Sequence, residues 1–353
     1  MKTAVQPDQL EAHVANVEPV LGQTFSNVDL GGKNLAAGVF ENVTFDQVNL
    51  RDADLREAVF SACNFHDCNL SGAKLARSTF DRCDFRGLDA SNSQWTNASL
   101  MECVAKAASW SGCDLKETVF NDCSLHDCQF EKANIDFTTM VGGTLIRPDF
   151  SNTRLHRIVL LKADLTSANF SGASFYLSVL VEACLAGMDL SGTDFTLTQF
   201  MKADLAGINL SGANLTQCNF QEARLTEARF DKANASNAIF MGANLEKASL
   251  KAVNLYQSIF NGAHLVGADM SNSNGYQTQW TGANCQGARF SGMDLTYADF
   301  SHADLRLADF SDASMFRAKL HAVRDEDANI PNRKMALGDD KPLLEAEFWK
   351  PPV

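Results

Sequence analysis

Ala53-Asp54-Leu55, Ala163-Asp164-Leu165, Ala213-Asn214-Leu215 and Ala303-Asp304-Leu305 are one triplet met at four places in a single phase. That phase is five residues. Every fifth position from Phe25 to Leu320 makes 60 centres, of which 27 are Leu, 21 are Phe and none is charged. Only Phe137, Phe316 and Phe348 of the 24 Phe fall off these centres, so aromatic composition follows register. Two residues before the centre, 48 of the 60 positions hold Ala, Cys, Ser, Thr or Gly, and the residue between is often Asp or Asn. The unit reads A-(D/N)-L-x-x without an insertion. A period of five fits neither an α-helix at 3.6 nor a strand at 2.0, which leaves a solenoid.

Composition agrees with a folded chain: 21% of the 353 residues are charged and 45% are hydrophobic. A net charge of -13 argues against a nucleic-acid backbone or an anionic membrane as partner and leaves neutral or basic partners open. No apolar stretch approaches the ~20 residues that cross a bilayer. The start, MKTAVQPDQLEAH, lacks the apolar run of a signal peptide, so a cytoplasmic location is expected, with non-classical secretion left open.

The repeat resembles the pentapeptide-repeat family over residues 23 to 322. The resemblance implies an all-β, right-handed quadrilateral β-helix with one pentapeptide per side and four per coil. The centre and the small residue two before it then point inward. Sixty repeats imply about 15 coils and, at rungs ~4.8 Å apart, a rod ~70 Å long. Trp95, Trp110 and Trp280 occupy centres, and their small neighbours Ala90, Ala105, Gly275 and Cys285 are expected to make room for them. Of the 15 centres on the side running 40, 60, 80 and onward, nine are Phe, so a period of 20 overlies the period of five.

A solenoid needs its ends covered. Residues 1 to 22 are expected to form an N-terminal cap, with Asp8 and Glu11 spaced as a capping box and Leu10, Val14 and Val17 on one helix face. Residues 323 to 353 form a tail whose apolar cluster, Leu343, Leu344, Phe348 and Trp349, either folds over the last coil or docks on another protein; Pro351 and Pro352 suit an extended peptide. Pro148 is the one proline inside the repeat, at an inward position, where loss of a rung hydrogen bond predicts a kink.

Chemistry-bearing residues read mostly as structure. Eight of the ten cysteines take the inward small position, and Cys63, Cys83, Cys103 and Cys123 recur at the coil period. Stacked in an apolar interior with parallel side chains, they read as small hydrophobes rather than as disulfides or metal ligands. His66, His126, His156, His264, His302 and His321 fall at outward positions and His13 in the cap, which predicts no histidine site. No nucleophile-elbow, phosphate-loop or zinc-protease string occurs, and a filled interior offers no pocket, so neither catalysis nor a cofactor or metal is expected. The recurrent Asp and Asn, such as Asp54, Asp114 and Asp194, read as turn residues bonded to nearby amides.

Two surface features stand out. Asp294, Asp299, Asp304, Asp309 and Asp312 form the densest acidic stretch, a candidate electrostatic patch. On the side centred at 140, 160, 180 and 200, the outward positions hold Val141, Val159, Leu161, Val179, Val181 and Met201. Stacking would merge these into an apolar interface, or they express β propensity on a flat face.

Three functions follow. The first is a non-enzymatic rod that binds a protein partner through a side face or the tail, as a monomer or a homodimer. The family resemblance adds two others, a bacterial secretion-associated adaptor or effector of type III or type VI systems, and a DNA mimic acting on a type II topoisomerase. Against mimicry, the repeat carries a net -9. That is about one charge per 8 Å over ~70 Å, against one per ~1.7 Å of duplex DNA.

Overall fold

In a computed structural model, residues 5–349 are described; residues 1–4 and 350–353, which include Pro351 and Pro352 of the tail, lie outside the described residues. Each pentapeptide forms one side of a coil. The second residue after the centre turns the corner with a left-handed φ, as at Asp52 (56°), Arg77 (63°), Lys232 (63°) and Gly72 (70°). The N–H of the next, inward residue then closes the turn onto the centre's carbonyl, as from Ala73 to Leu70 and from Cys218 to Leu215, both 3.0 Å.

Three backbone bonds per pentapeptide join successive coils, one of them from the corner N–H to the following coil, as from Asp52 to Ser71 (3.0 Å). The centre N–H donates to a carbonyl of the following coil, as from Leu55 to Lys74 (2.8 Å), and the N–H just before the centre donates to the preceding coil, as from Asp84 to Cys63 (2.9 Å). Side chains at matching positions of successive coils therefore stack in parallel register, Phe40 on Phe60 and Phe25 on Phe45, and the expected β-helical class is the one observed.

The chain divides into two compact units, Met1–Ala183 and Cys184–Val353. In the first, an eight-stranded parallel sheet runs from Val20–Leu21 through Val39–Glu41, Val59–Ser61, Thr79–Asp81, Ser99–Met101, Val119–Asn121 and Thr139–Val141 to Val159–Leu161. This is the Phe-rich side: Phe40 pairs with Phe60 and Phe60 with Phe80, with ring centroids 4.7 and 4.8 Å apart. In the second unit the described residues form isolated parallel bridges, from Cys184↔Asp204 to Asp309↔Asn329 and Lys319↔Leu337. The expected run of about 15 like coils is thus corrected. A continuous strand ladder holds eight turns, and beyond it single bridges keep the register. Before the centre on the ladder's side Val and Thr predominate up to Val159, whereas the same position in the second unit is mixed, with Gln199, Asn219, Ile239, Ile259, Gln279, Asp299 and Lys319.

The interior is filled by centres. Trp95, Trp110 and Trp280 are fully buried, and the indole N–H groups of Trp95 and Trp280 donate to Ser93 Oγ (2.6 Å) and Thr278 Oγ1 (2.8 Å). Trp95 and Trp110 touch at 4.8 Å beside buried Ala90 and Ala105. Gly275 works differently from expectation. A Cβ there would meet Met293 Cε at 2.3 Å and Leu295 Cδ2 at 3.1 Å, so those side chains take the room it leaves.

At the start of the first unit a short helix, α1 (Leu10–Ala15), buries Leu10 and Val14, while Val17 is 84% exposed and leaves the expected apolar face. The capping box does not form. Gln9 is the N-cap without a side-chain bond, and the Glu11 carboxylate instead accepts the Asn34 N–H at 3.0 Å, a bond that holds Glu11 below the usual carboxylate range. In the second unit a 3-10 turn (Arg333–Met335) leads to helix α2 (Lys341–Glu347), N-capped by the Asp340 side chain.

Candidate functional site

Most inward polar side chains follow one pattern, while Ser78 and Thr278 donate instead to the centre carbonyl three residues before them. A Cys, Ser or Thr two before the centre donates to a centre carbonyl of the preceding coil: Cys68 to Phe45 (3.2 Å), Cys113 to Ala90 (2.9 Å), Thr138 to Leu115 (2.7 Å) and Ser258 to Ala235 (2.9 Å). The stacked Cys63, Cys83, Cys103 and Cys123 do the same with Phe40, Phe60, Phe80 and Leu100. All ten cysteines are free thiols. Burial pushes Cys68 and Cys128 up to about 12 and Cys113 up to about 11, so these thiols stay protonated at neutral pH. Within the stacked file the directions alternate: Cys83 and Cys123 are raised by the hydrogen bond each shares with Cys103 and further by burial, whereas Cys103 is lowered by its bonds with Cys123 and Cys83, and Cys63 by its bond with Cys83.

Asp and Asn before the centre accept the N–H two residues on, as Asp89 does from Ser91 and Asn69 from Ser71. Many also take a rung bond from an Asn amide one coil later, as Asp29 does from Asn49 (2.8 Å) and Asp309 from Asn329 (2.9 Å). The acidic stretch dissolves on this geometry. Asp294, Asp299, Asp304 and Asp309 belong to four successive sides, stacked on Asn274, Gln279, Asn284 and Arg289 respectively. Asp299 pairs with Lys319 (3.0 Å), and Asp304, only 5% exposed, with Arg306 (2.7 Å) and Arg324 (2.6 Å). Asp294 accepts the Thr296 N–H, and Asp312 stands alone on an exposed corner. No single acidic face results.

The apolar side of the first unit separates into two rows. Val159 and Val179, just before their centres, continue a row that includes Val39, Val59, Thr79, Val119 and Thr139, β-branched along much of the sheet. Val141, Leu161 and Val181, just after their centres, continue a row that holds Leu21, Glu41, Ser61, Asp81, Met101 and Asn121 earlier on. In this second row the apolar residues, isolated at Leu21 and Met101, become consecutive from Val141 on. Val141, Leu161 and Val181 are half-buried, as are Val159 and Val179; Tyr176 and Leu177 nearby are exposed, and Met201 is half-buried in the second unit.

A break in the coil borders that row. Among the described residues Gly143 is the one whose positive φ (64°) falls out of phase, next to the in-phase Gly142 (67°). A Cβ on Gly143 would lie 1.9 Å from the carbonyl oxygen of Cys123, so the backbone approaches that rung as only Gly permits. Leu145 is consequently half-buried where every other centre from Phe25 to Leu320 is buried, and Ile146 is 39% exposed. By phase, the N–H groups of Gly142 and Leu145 would donate to Leu161 and Asp164; among the described residues neither makes that bond, and Arg147 N–H donates to Ser167 Oγ instead (2.9 Å). The coils part into a cleft of about 590 Å³ lined by Val141, Leu145, Ile146, Leu161, Lys162 and Asp164, among others. The predicted kink is present, with its cause corrected. Pro148 carries no N–H to close the turn onto Leu145, whereas the rungs around it persist through Asp149 N–H to Cys128 and Asn169 N–H to the Pro148 carbonyl.

The tail cluster does not cover a core. Leu343, Phe348 and Trp349 are 46, 74 and 67% exposed, Leu344 is half-buried, and α2 buries no residue. The last coil is instead paired by Met335 and Leu337, whose carbonyls accept from Arg317 and Leu320. Two groups escaped the sequence reading. Tyr256, Tyr276, Tyr297 and Phe316 form an exposed aromatic file on one side, with centroids 5.7 to 6.0 Å apart, and the coil-period spacing of Tyr256 and Tyr276 was the signal for it. His321, expected to face outward, is 4% exposed, and its Nε2 faces Glu347 Oε2 at 3.3 Å while His302 Nε2 faces Glu347 Oε1 at 3.2 Å.

A family model described as "Pentapeptide repeat region" matches residues 33–110, and one described as "Pentapeptide repeats (8 copies)" matches seven stretches between residues 98 and 321. No curated protein matches. Among solved structures, the plasmid-mediated fluoroquinolone resistance protein QnrB1 is 21% identical over 55% of this chain and 90% of its own, with a TM-score of 0.38. HetL, a pentapeptide-repeat protein involved in heterocyst differentiation regulation in the cyanobacterium Nostoc, is 19% identical over 87% and 93%, with a TM-score of 0.19. A pentapeptide-repeat protein of the Arabidopsis thaliana thylakoid lumen is 28% identical over 36% and 80%, with a TM-score of 0.18. Among the described residues no helix is long and apolar enough to cross a membrane.

Proposed function

Because the chain belongs to the pentapeptide-repeat family, we propose that it is a non-enzymatic scaffold that binds a protein partner through the side of its first unit, at the row Val141, Leu161 and Val181. The run of consecutive apolar residues in that row from Val141 on, where earlier coils hold them only singly at Leu21 and Met101, beside the cleft opened at Gly143, carries this reading. Sheet propensity accounts for Val159 and Val179, which continue a β-branched row; it does not account for Leu161, in a row whose earlier members are the polar Glu41, Ser61, Asp81 and Asn121, interrupted only by Leu21 and Met101. An apolar row bordered by Lys162, Asp164 and Glu182 has the composition of a docking strip with a polar rim.

A second reading places the contact on the tail, in the manner of a secretion-linked adaptor, and the exposure of Phe348 and Trp349 favours it. DNA mimicry finds less support, since the acidic side chains point to different sides and are largely engaged by Arg, Lys or amides. The test is affinity capture with three forms of the full repeat: intact, V141S/L161S/V181S, and a chain ending at Asp340, which keeps the Met335 and Leu337 pairings. Proteins held by the intact form should be lost from the triple variant and kept by the shortened chain. Retention by the triple variant refutes the side-face reading, and loss on shortening alone transfers the contact to the tail.

A further inference from the structure

We propose that His302, His321 and Glu347 form a site for a divalent transition ion, with Zn²⁺ as the fitting case, which fastens helix α2 to the last coils. The two histidines sit on adjacent rungs, joined by the bond from His302 N–H to the His321 carbonyl (2.8 Å), so solenoid backbone fixes both. Their rings stand 5.4 Å apart at 84°, and both Nε2 atoms face the Glu347 carboxylate. The three ligand atoms lie within 4.8 Å of one another. Zn–N and Zn–O bonds of about 2.0–2.2 Å set ligand atoms of a tetrahedral site about 3.3 Å apart, and the separations of His302 Nε2 from Oε1 (3.2 Å) and of His321 Nε2 from Oε2 (3.3 Å) are of that size, each to a different oxygen of the Glu347 carboxylate. Closure on one oxygen needs the carboxylate to turn and the two imidazoles to approach each other. Two nitrogens and one carboxylate oxygen suit Zn²⁺ and leave a fourth position for water.

A second observation is what holds α2. The helix buries no residue, and its side of the junction consists of Glu347 on the histidines, the Asp339 carboxylate on Ala322 N–H (2.9 Å) and Asp340 N–H on His321 Nδ1 (3.2 Å). A few polar contacts with no buried apolar side chain behind them fasten a helix weakly. A shared ion supplies the missing anchor. Metal on Nε2 places the His321 proton on Nδ1, where Asp339 Oδ1, 3.9 Å away, becomes its acceptor in place of the Asp340 contact. The ion therefore sets the placement of the segment from Asp339 to Glu347, and with it the presentation of Phe348 and Trp349. This site is independent of the docking row, which belongs to the first unit.

The metal-stripped full chain, titrated with Zn²⁺ against a chromophoric chelator, should take up one ion. H302Q and E347Q should weaken uptake at least tenfold, while H126Q, at a histidine elsewhere on the repeat, should leave it unchanged. Hydrogen exchange over residues 323–347 should slow on adding Zn²⁺ in the native sequence and not in E347Q. Unaltered protection of residues 184–320 verifies that each variant is folded. No uptake by the native chain, affinity within twofold in H302Q and E347Q, or exchange indifferent to Zn²⁺ overturns the proposal.

Discussion

Replacing each of two adjacent glycines by Ala should have unequal effects. At Gly142 (φ 67°) the backbone is the ordinary corner that Ala62, Ala107 and Ala252 adopt elsewhere at 51 to 58°, and an added Cβ meets first the Asp122 carboxylate, the end of an exposed side chain that can rotate away, with the Asp122 nitrogen at an ordinary 3.4 Å. Gly142→Ala should cost about 1 kcal/mol, the ordinary difference between Gly and Ala at positive φ. At Gly143 the Cβ falls 1.9 Å from the carbonyl oxygen, 2.6 Å from the nitrogen and 2.7 Å from the carbonyl carbon of Cys123, all backbone atoms of the adjoining rung. To the same ~1–2 kcal/mol of left-handed strain is added ~1–3 kcal/mol of overpacking against atoms that move only with the coil, so Gly143→Ala should cost about 3–4 kcal/mol. Urea unfolding of both variants measures the difference, and hydrogen exchange of the amides of 121–129 and 139–147 locates it. The coil has one escape, a return of residue 143 to the regular inward geometry in which Ala is common. Pro148 opposes it, because the regular turn is closed by an N–H that proline lacks. A Gly143→Ala protein as stable as Gly142→Ala would mean that the escape is taken, and would refute both the assigned cause of the cleft and its persistence.

Other outcomes follow from the same geometry. Phe240, fully buried between Phe220 (4.9 Å) and Phe260 (4.7 Å), should cost about 4–5 kcal/mol as Phe240→Ala, the upper end for such truncations, and a urea-derived loss below ~2 kcal/mol would show that the stack collapses onto the gap. Asp304 is held below the usual carboxylate range first by its hydrogen bonds from Arg306, against the opposing effect of burial. Its contribution is therefore present above the unfolded value of ~3.9 and fades as pH falls through the lower folded value, so urea midpoints in acid should drop less steeply for Asp304→Asn than for the native chain. In iodoacetamide labelling of the folded chain, half-buried Cys184 should react well ahead of Cys68, Cys113 and Cys128, whose buried thiols stay neutral; equal rates would contradict the hydrogen-bonding role given to inward thiols.

What could be read from the sequence divides along a physical line. A residue whose environment repeats with the pentapeptide or with the coil has its neighbours fixed by phase alone. The burial of Phe40 or Leu215, the turn role of Asp89 and the inward stacking of the Cys63 to Cys123 file were legible for that reason. Phase also misled wherever adjacency in sequence was taken for adjacency in space. Asp294, Asp299, Asp304 and Asp309 are neighbours in the chain, but one pentapeptide is one side, so they face four ways. The apolar side suffered the opposite fault: six residues were grouped by side, although only the row after the centre gathers its apolar residues at successive coils, and a column-by-column comparison of Leu21, Glu41, Ser61, Asp81, Met101, Asn121, Val141 and Leu161 would have separated it.

The remaining features depend on departures from phase, which a periodic reading discounts as drift. Gly143 satisfies the small-residue rule by composition and violates it by conformation; the Gly-Gly pair was the visible sign, because a corner glycine needs no glycine after it. His302 and His321 fall one position short of the stacking period, so they occupy different places within their pentapeptides. They meet because a backbone bond from the second residue after one centre reaches the first residue after the centre one coil on. Glu347 joins them from the helix that follows the last rung, beyond any period. In a chain whose regular positions are occupied with building the scaffold, the proposed interaction and the proposed ligation both rest on residues that interrupt it: a glycine turned the wrong way, a run of apolar residues in a mixed row, and a histidine pair one residue out of step.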